Sequence, residues 1–202
     1  MKTIKTTIAI LALSIFTISC SKDNAPSPAI ATELKIYDKE NPLPEFLTKA
    51  NLNNLVPSSP TDGKQEIGLT FKPLVKGSIT AIEIKIPFEV SNLIVSIWDF
   101  ETQQIIRTET INNMNSGTRK IAFITPLTLI KDKRYVISMN TNSYYTYRNV
   151  AANVDDYPII IGNIAVLNTN YSPDTVTNPT YPSTIFIGKY SGNCSFLFQQ
   201  TD

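Results

Sequence analysis

From Glu66 toward the C-terminus, apolar and polar side chains alternate with a period of two in segment after segment. "EIGLTF" puts Ile67, Leu69 and Phe71 on one face. "AIEIKIP" puts Ile82, Ile84 and Ile86 inward, with Glu83 and Lys85 outward. "LIVSIWDF" (93–100), "QIIRTETI" (104–111), "RKIAFI", "LTLI" and "RYVISMN" continue the series, the last with Tyr135, Ile137 and Met139 in step. "IIIGNIAVL" and "CSFLFQ" close it, with Phe196 and Phe198 on one face. Successive side chains of a strand point to opposite faces, so this alternation marks strands with one face in a core. Thr, Ile, Val and Tyr are enriched, and "VKGS", "NSGT" and "IKDK" supply the turns. The pattern predicts an all-β domain over residues 66–202, an antiparallel β-sandwich. No long amphipathic helix interrupts it, which argues against a parallel βαβ sheet.

Residues 33–65 read as an N-terminal extension. In "PEFLTKANLNNL" (44–55), Phe46, Leu47, Ala50 and Leu55 recur at loosely helical spacing and predict one short helix. "VPSSPTDGK" is turn chemistry leading into the main fold.

The chain starts differently. Lys2 and Lys5 precede "IAILALSIF" (8–16), an apolar run too short for a membrane-spanning helix of about 20 residues. This is the pattern of a secretory signal peptide over residues 1–19. "TISC" then resembles a lipobox, in which a small residue precedes a cysteine that receives lipid. Ser19 and Cys20 fit; Thr17 stands where leucine is usual. "CSKDN" resembles the start of mature lipoproteins of the Bacteroidetes group, which implies an outer-membrane protein facing the cell exterior or, alternatively, the periplasm. Cys20 is thus expected to be the lipidation site and the link to the membrane, each buried methylene contributing about 0.8 kcal/mol. Residues 20–32, small, polar and proline-bearing, read as a tether.

Composition narrows the chemistry. Histidine is absent, which removes every Ser-His-Asp and Cys-His arrangement and the commonest zinc ligand. Two cysteines, one assigned to lipid, provide neither a disulfide framework nor a metal cage. Cys194 is expected to be a buried apolar residue. Loss of Lys2 and Lys5 from 18 basic residues leaves 16 against 17 acidic ones, a net charge of −1, and no basic stripe points to nucleic acid. The reading is of a non-enzyme without metal or cofactor, and of a monomer. A carboxylate-only enzyme stays open as an alternative.

The order of motifs also resembles the family called domain of unknown function 4082. The matching residues are Gly68, Phe71, Gly77, Ile79, Ile82, Trp98, Phe123, Pro126, Leu129, Tyr135 and Ser138, spread over about residues 66–199. The turn after Trp98, "DFETQQ", lacks that family's glycine, and residues 149–189 match poorly. The resemblance implies a jelly-roll sandwich, often attached to surface or carbohydrate-active proteins, with no established activity.

Candidate sites come from aromatic residues in polar company. In "SYYTYRN", Tyr144, Tyr145 and Tyr147 beside Arg148 could stack on the CH faces of sugars while Arg or Asn binds hydroxyls. The other reading is a strand with Tyr145 and Tyr147 on one face and Tyr144 on the other. The long segment "NTNYSPDTVTNPTYPST" (168–184) offers Tyr171 and Tyr181. These rings and Arg148 are the expected ligand contacts, on loops at one end of the sandwich. Trp98 reads as core. Asp155 and Asp156 read as a solvated turn, because two adjacent carboxylates supply too few oxygens for calcium. Glycans are the favoured ligand, with a surface protein as the alternative.

Overall fold

The computed structural model describes residues 35–59, 63–149, 157–172 and 177–201. Cys20, the leader at 1–19, the tether at 20–32, the Asp155-Asp156 turn and residues 173–176 of the long segment lie outside these. In chain order the elements are β1 (Lys39–Glu40), α1 (Pro42–Lys49), β2 (Leu52–Ser58), β3 (Gln65–Pro73), β4 (Gly77–Lys85), β5 (Val90–Asp99), β6 (Ile105–Met114) and β7 (Arg119–Leu129). They continue with β8 (Tyr135–Thr141), β9 (Tyr144–Asn149), β10 (Ile159–Ile161), β11 (Ile164–Tyr171), β12 (Thr184–Phe186), β13 (Lys189–Gly192) and β14 (Cys194–Gln200).

Every strand pairing is antiparallel. A four-stranded sheet runs β1-β14-β4-β7. A larger sheet runs β10-β11-β3-β8-β5-β6, with β12 added on β11, and a third small sheet runs β13-β9-β2. The two main sheets meet through the rows that the alternation marked. Ile67, Leu69 and Phe71 of β3 and Ile137 and Met139 of β8 join Ile79, Ile82 and Ile84 of β4 and Phe196 and Phe198 of β14 in one core. Phe71 and Phe196 touch across it, ring centroids 4.4 Å apart. Each such fully buried side chain contributes about 1.5–3 kcal/mol, which is what holds the sheets face to face as a β-sandwich.

The segment read as an extension before the domain is built into it, and the compact unit begins at Lys35. Asn41 caps α1, accepting from the Leu43 N–H at 3.2 Å, and prolines occupy its first turn. The helix buries Leu43 and Phe46, the latter edge-on to Tyr190 at 5.9 Å. It therefore starts two residues earlier than expected and is shorter. Asn51, at φ 53, reverses the chain. The residues after it, expected to extend the helix, instead form β2, an edge strand on β9.

Candidate functional site

The polar faces of four adjoining strands build the site. In the large sheet Gly68 of β3 stands between Asn170 of β11 and Ser138 of β8, and Ser138 stands opposite Ser96 of β5. One step along, the row is Asn168, Thr70, Val136 and Trp98; one step the other way it holds Glu66, Asn140 and Ile94. Residues directly opposite share a face, so these three rows form one patch on the side of the sheet away from the core. Its centre depends on Gly68: a Cβ there would overlap the Ile137 carbonyl oxygen, so only glycine lets β3 and β8 close at this point.

This patch carries the polar half of the alternation, yet it is buried. Glu66, Thr70, Ser96 and Ser138 are fully shielded, and Trp98 is 4% exposed. Residues 177–183, between β11 and β12, are its cover. The Thr180 N–H donates to Glu66 Oε2 at 3.4 Å, Tyr181 sets its ring edge against Trp98 at 5.8 Å, and Pro182 is buried. Beneath, Trp98 Nε1–H donates to Ser138 Oγ at 2.7 Å, and the Ser138 hydroxyl donates to Glu66 Oε1 at 2.5 Å. Asn140 Nδ2–H donates to Glu66 Oε2 at 3.1 Å. Thr70 donates to Asn170 Oδ1 at 2.7 Å. Burial pushes the Glu66 carboxyl up to about 7, outweighing the donors from Ser138, Asn140 and Thr180 that favour its charge. Among the described residues, Ser96 Oγ, Asn140 Oδ1 and Asn168 Oδ1 are shut off from solvent without a hydrogen-bond partner, and all three lie on this face.

Where the patch reaches the surface it opens into a cleft of about 170 Å³ lined by Phe100, Gln103, Asn168, Asn170, Tyr181, Ser183 and Ile185. The turn bearing Phe100 and Gln103 is fixed by Asp99, whose Oδ1 accepts the N–H groups of Glu101 and Thr102 at 2.9 Å each. Lys133 Nζ reaches Asp99 Oδ2 at 2.6 Å, and its hydrogen bond, with those N–H groups, lowers the Asp99 carboxyl to about 2. Arg134 lies over the Phe100 ring at 4.0 Å and is committed to Glu101 at 2.5 Å. The cleft is therefore lined by amides, a hydroxyl and rings.

A sequence profile described as a domain of unknown function (DUF4082) matches residues 53–186, more than half of the chain. The chain belongs to that family. The match starts inside β2 and ends at β12, so it takes in the whole polar patch and its cover. It also takes in residues 149–186 of the stretch that reads as the weakest part of the resemblance, and it stops before the closing "GNCSFLF". No curated protein matches the chain.

The expected ring residues do not converge. Residues 144–149 are a strand and not a loop: β9 is the middle strand of its sheet, paired on both edges, and its rings pack inward. Tyr144 and Tyr147 are buried in the core, which corrects their reading as exposed ligand contacts. Tyr144 donates its hydroxyl to Gln65 Oε1 at 2.9 Å, and Tyr147 stacks on Tyr190 at 6.1 Å and binds Asn193. Tyr145 is half-buried under Lys85, and Arg148 is exposed. Tyr171 alternates with Asn170 and so faces away from the patch, stacked on Phe186 at 4.1 Å. Of the six expected contacts, Tyr181 alone lines the cleft.

The residues missed by sequence reasoning are Glu66, Ser96, Ser138, Asn140, Asn168 and Asn170. Glu66, Ser138 and Asn140 sit at outward positions of alternating runs, which read as a solvated face; Ser96 shares the face of Trp98, which reads as core, and Asn168 and Asn170 open the long polar segment 168–184. The one legible hint was the long Pro- and Asn-rich segment following β11, which returns over that face.

Proposed function

We propose that this protein is a lipid-anchored cell-envelope lipoprotein of Bacteroidetes type, held to the outer membrane through Cys20 and facing the cell exterior. Its sandwich, of jelly-roll type, acts as a non-catalytic module that binds glycans, without metal or cofactor and as a monomer. One observation carries the ligand class: a cleft lined by Asn168, Asn170, Gln103, Ser183 and the Tyr181 ring, with Arg134, stacked over Phe100, already paired to Glu101. Uncharged amides and hydroxyls bind sugar hydroxyls, and an aromatic wall accepts the CH face of a pyranose. The hydrogen-bond partners of Glu66 are a hydroxyl, an amide and a backbone N–H, an arrangement that holds a carboxyl still; glycosidase chemistry uses two carboxyls flanking one bond.

A second reading, an adhesin-like contact with a protein, is favoured by Phe123, 76% exposed beside Ile121 on the edge strand β7. A glycan array with turnover monitored separates the readings. Binding without hydrolysis supports the module, hydrolysis defeats it, and silence shifts weight to the β7 face. The anchor is tested by metabolic labelling with a palmitate analogue: label is expected in the wild type and absent from Cys20→Ala, and equal label in both would remove Cys20 from the account.

A further inference from the structure

The open cleft is the end of a larger polar surface. Asn168 and Asn170 belong to both, and from them the rows continue across β3 and β8 to Ser96 and Trp98 on β5. Four strands about 4.8 Å apart span about 14 Å, longer than one sugar ring needs. A buried polar atom without a partner has lost its water and gained nothing in exchange. Ser96 Oγ, Asn140 Oδ1 and Asn168 Oδ1 all bear that cost on this one face. What shields them is held lightly. Among the described residues, the cover reaches Glu66 through the Thr180 N–H at 3.4 Å, the long end of the hydrogen-bond range, and Trp98 through the Tyr181 ring.

Resting on the glycan reading above, we propose that the face under residues 177–183 is the inner part of the same binding site, uncovered when that segment lifts, and that its ligand is a linear neutral oligosaccharide lying across β11, β3, β8 and β5. Hydroxyls and amides repeating from strand to strand match a chain of hydroxyl-bearing rings, and Trp98, once Tyr181 leaves it, offers a stacking surface.

Glu66 supplies the means of lifting. Its carboxyl faces Ser138 and Asn140 from β8, Trp98 of β5 through Ser138, and Thr180 from the segment after β11, while Ser172 holds its backbone. Beyond the sheet the Glu66 charge reaches the Cys194 thiol, which burial pushes up and keeps neutral. No cation among these balances a carboxylate. Ionised, Glu66 is better hydrated with the cover open. If the closed form titrates near 7 and the open form near 4.5, the ratio of open to closed rises up to about 300-fold across that window and is level above it.

Trp98 is the sole tryptophan, so its fluorescence in the full chain reports on the cover directly. Acrylamide should quench it several-fold more at pH 8 than at pH 5 in the wild type, and weakly at both in Glu66→Gln. Calorimetric titration at pH 8 with gluco-, xylo- and manno-oligosaccharides of one to six units should give an affinity for at least one hexamer about tenfold or more above its monomer. Asn140→Ala should lose that gain and keep the monomer affinity. Equal quenching of the wild type at the two pH values overturns the cover, as does a pH dependence that persists in Glu66→Gln. Affinity independent of chain length overturns the extended ligand. Quenching as expected with no sugar bound removes the glycan reading and the ligand assigned here, and leaves the cover standing.

Discussion

Glu66 is a carboxyl group at a place on the large sheet where the polar half of the alternation is sealed. Its titration sets a sign for stability. Below about 4.5 the folded and unfolded chains both hold the proton; between 4.5 and about 7 the fold keeps a proton that the unfolded chain has released. Stability from this group is therefore lost as pH rises through that window, by up to roughly 3 kcal/mol, and is flat above it. Asp99 acts in the opposite sense at lower pH. Its carboxyl is depressed from 3.8 to about 2, so its contribution is present above 3.8 and lost as pH falls toward 2. The two windows do not overlap. Thermal midpoints measured from pH 4.5 to 8 should fall toward pH 7 in the wild type, and Glu66→Gln should flatten the curve. Parallel curves for the two proteins would contradict the assignment.

At the scale of the element, β9 shows why a cluster of tyrosines need not be a ligand platform. Paired to β2 and β13, it has neighbours on both edges and the core at its rings. Tyr147, stacked on Tyr190, should cost about 3 kcal/mol when changed to alanine, since removing a buried ring leaves a cavity. Tyr145, half-buried, should cost about 1 kcal/mol or less. Chemical denaturation measures both; equal losses would mean that Tyr147 is not part of the packed core. The strands from β3 to β8 were legible because a period of two is a local signal. "RKIAFI" and "LTLI" read as two runs and prove to be the single strand β7, which tolerates Pro126 because it lies at a sheet edge. β2 was not legible: "LNNLVPS" buries only its first residue, so no alternation marks it. The polar patch was hidden for a different reason. Glu66, Ser138 and Asn140 hold outward positions in regular runs. Only residues 177–183, far away in sequence and without a repeating pattern, turn that outside into an interior.

For the whole molecule, the division of labour is between two sheets. The four-stranded sheet presents the β7 edge, and the seven-stranded sheet presents the polar patch, the cover and the cleft. Tyr181 joins them to the proposed activity, since it belongs to the cover and lines the cleft at once. Its half-exposed ring is dispensable for the core, so Tyr181→Ala separates binding from folding. Calorimetric titration of that variant and the wild type at pH 5, where the cover is closed, with the monomer unit of a glycan-array hit, alongside their thermal midpoints, is the most direct measurement. Loss of the ring's contact should weaken affinity about fivefold or more, roughly 1 kcal/mol, with the midpoint nearly unchanged. Equal affinity of the two proteins for that glycan would show that the cleft at Tyr181 is not where it binds.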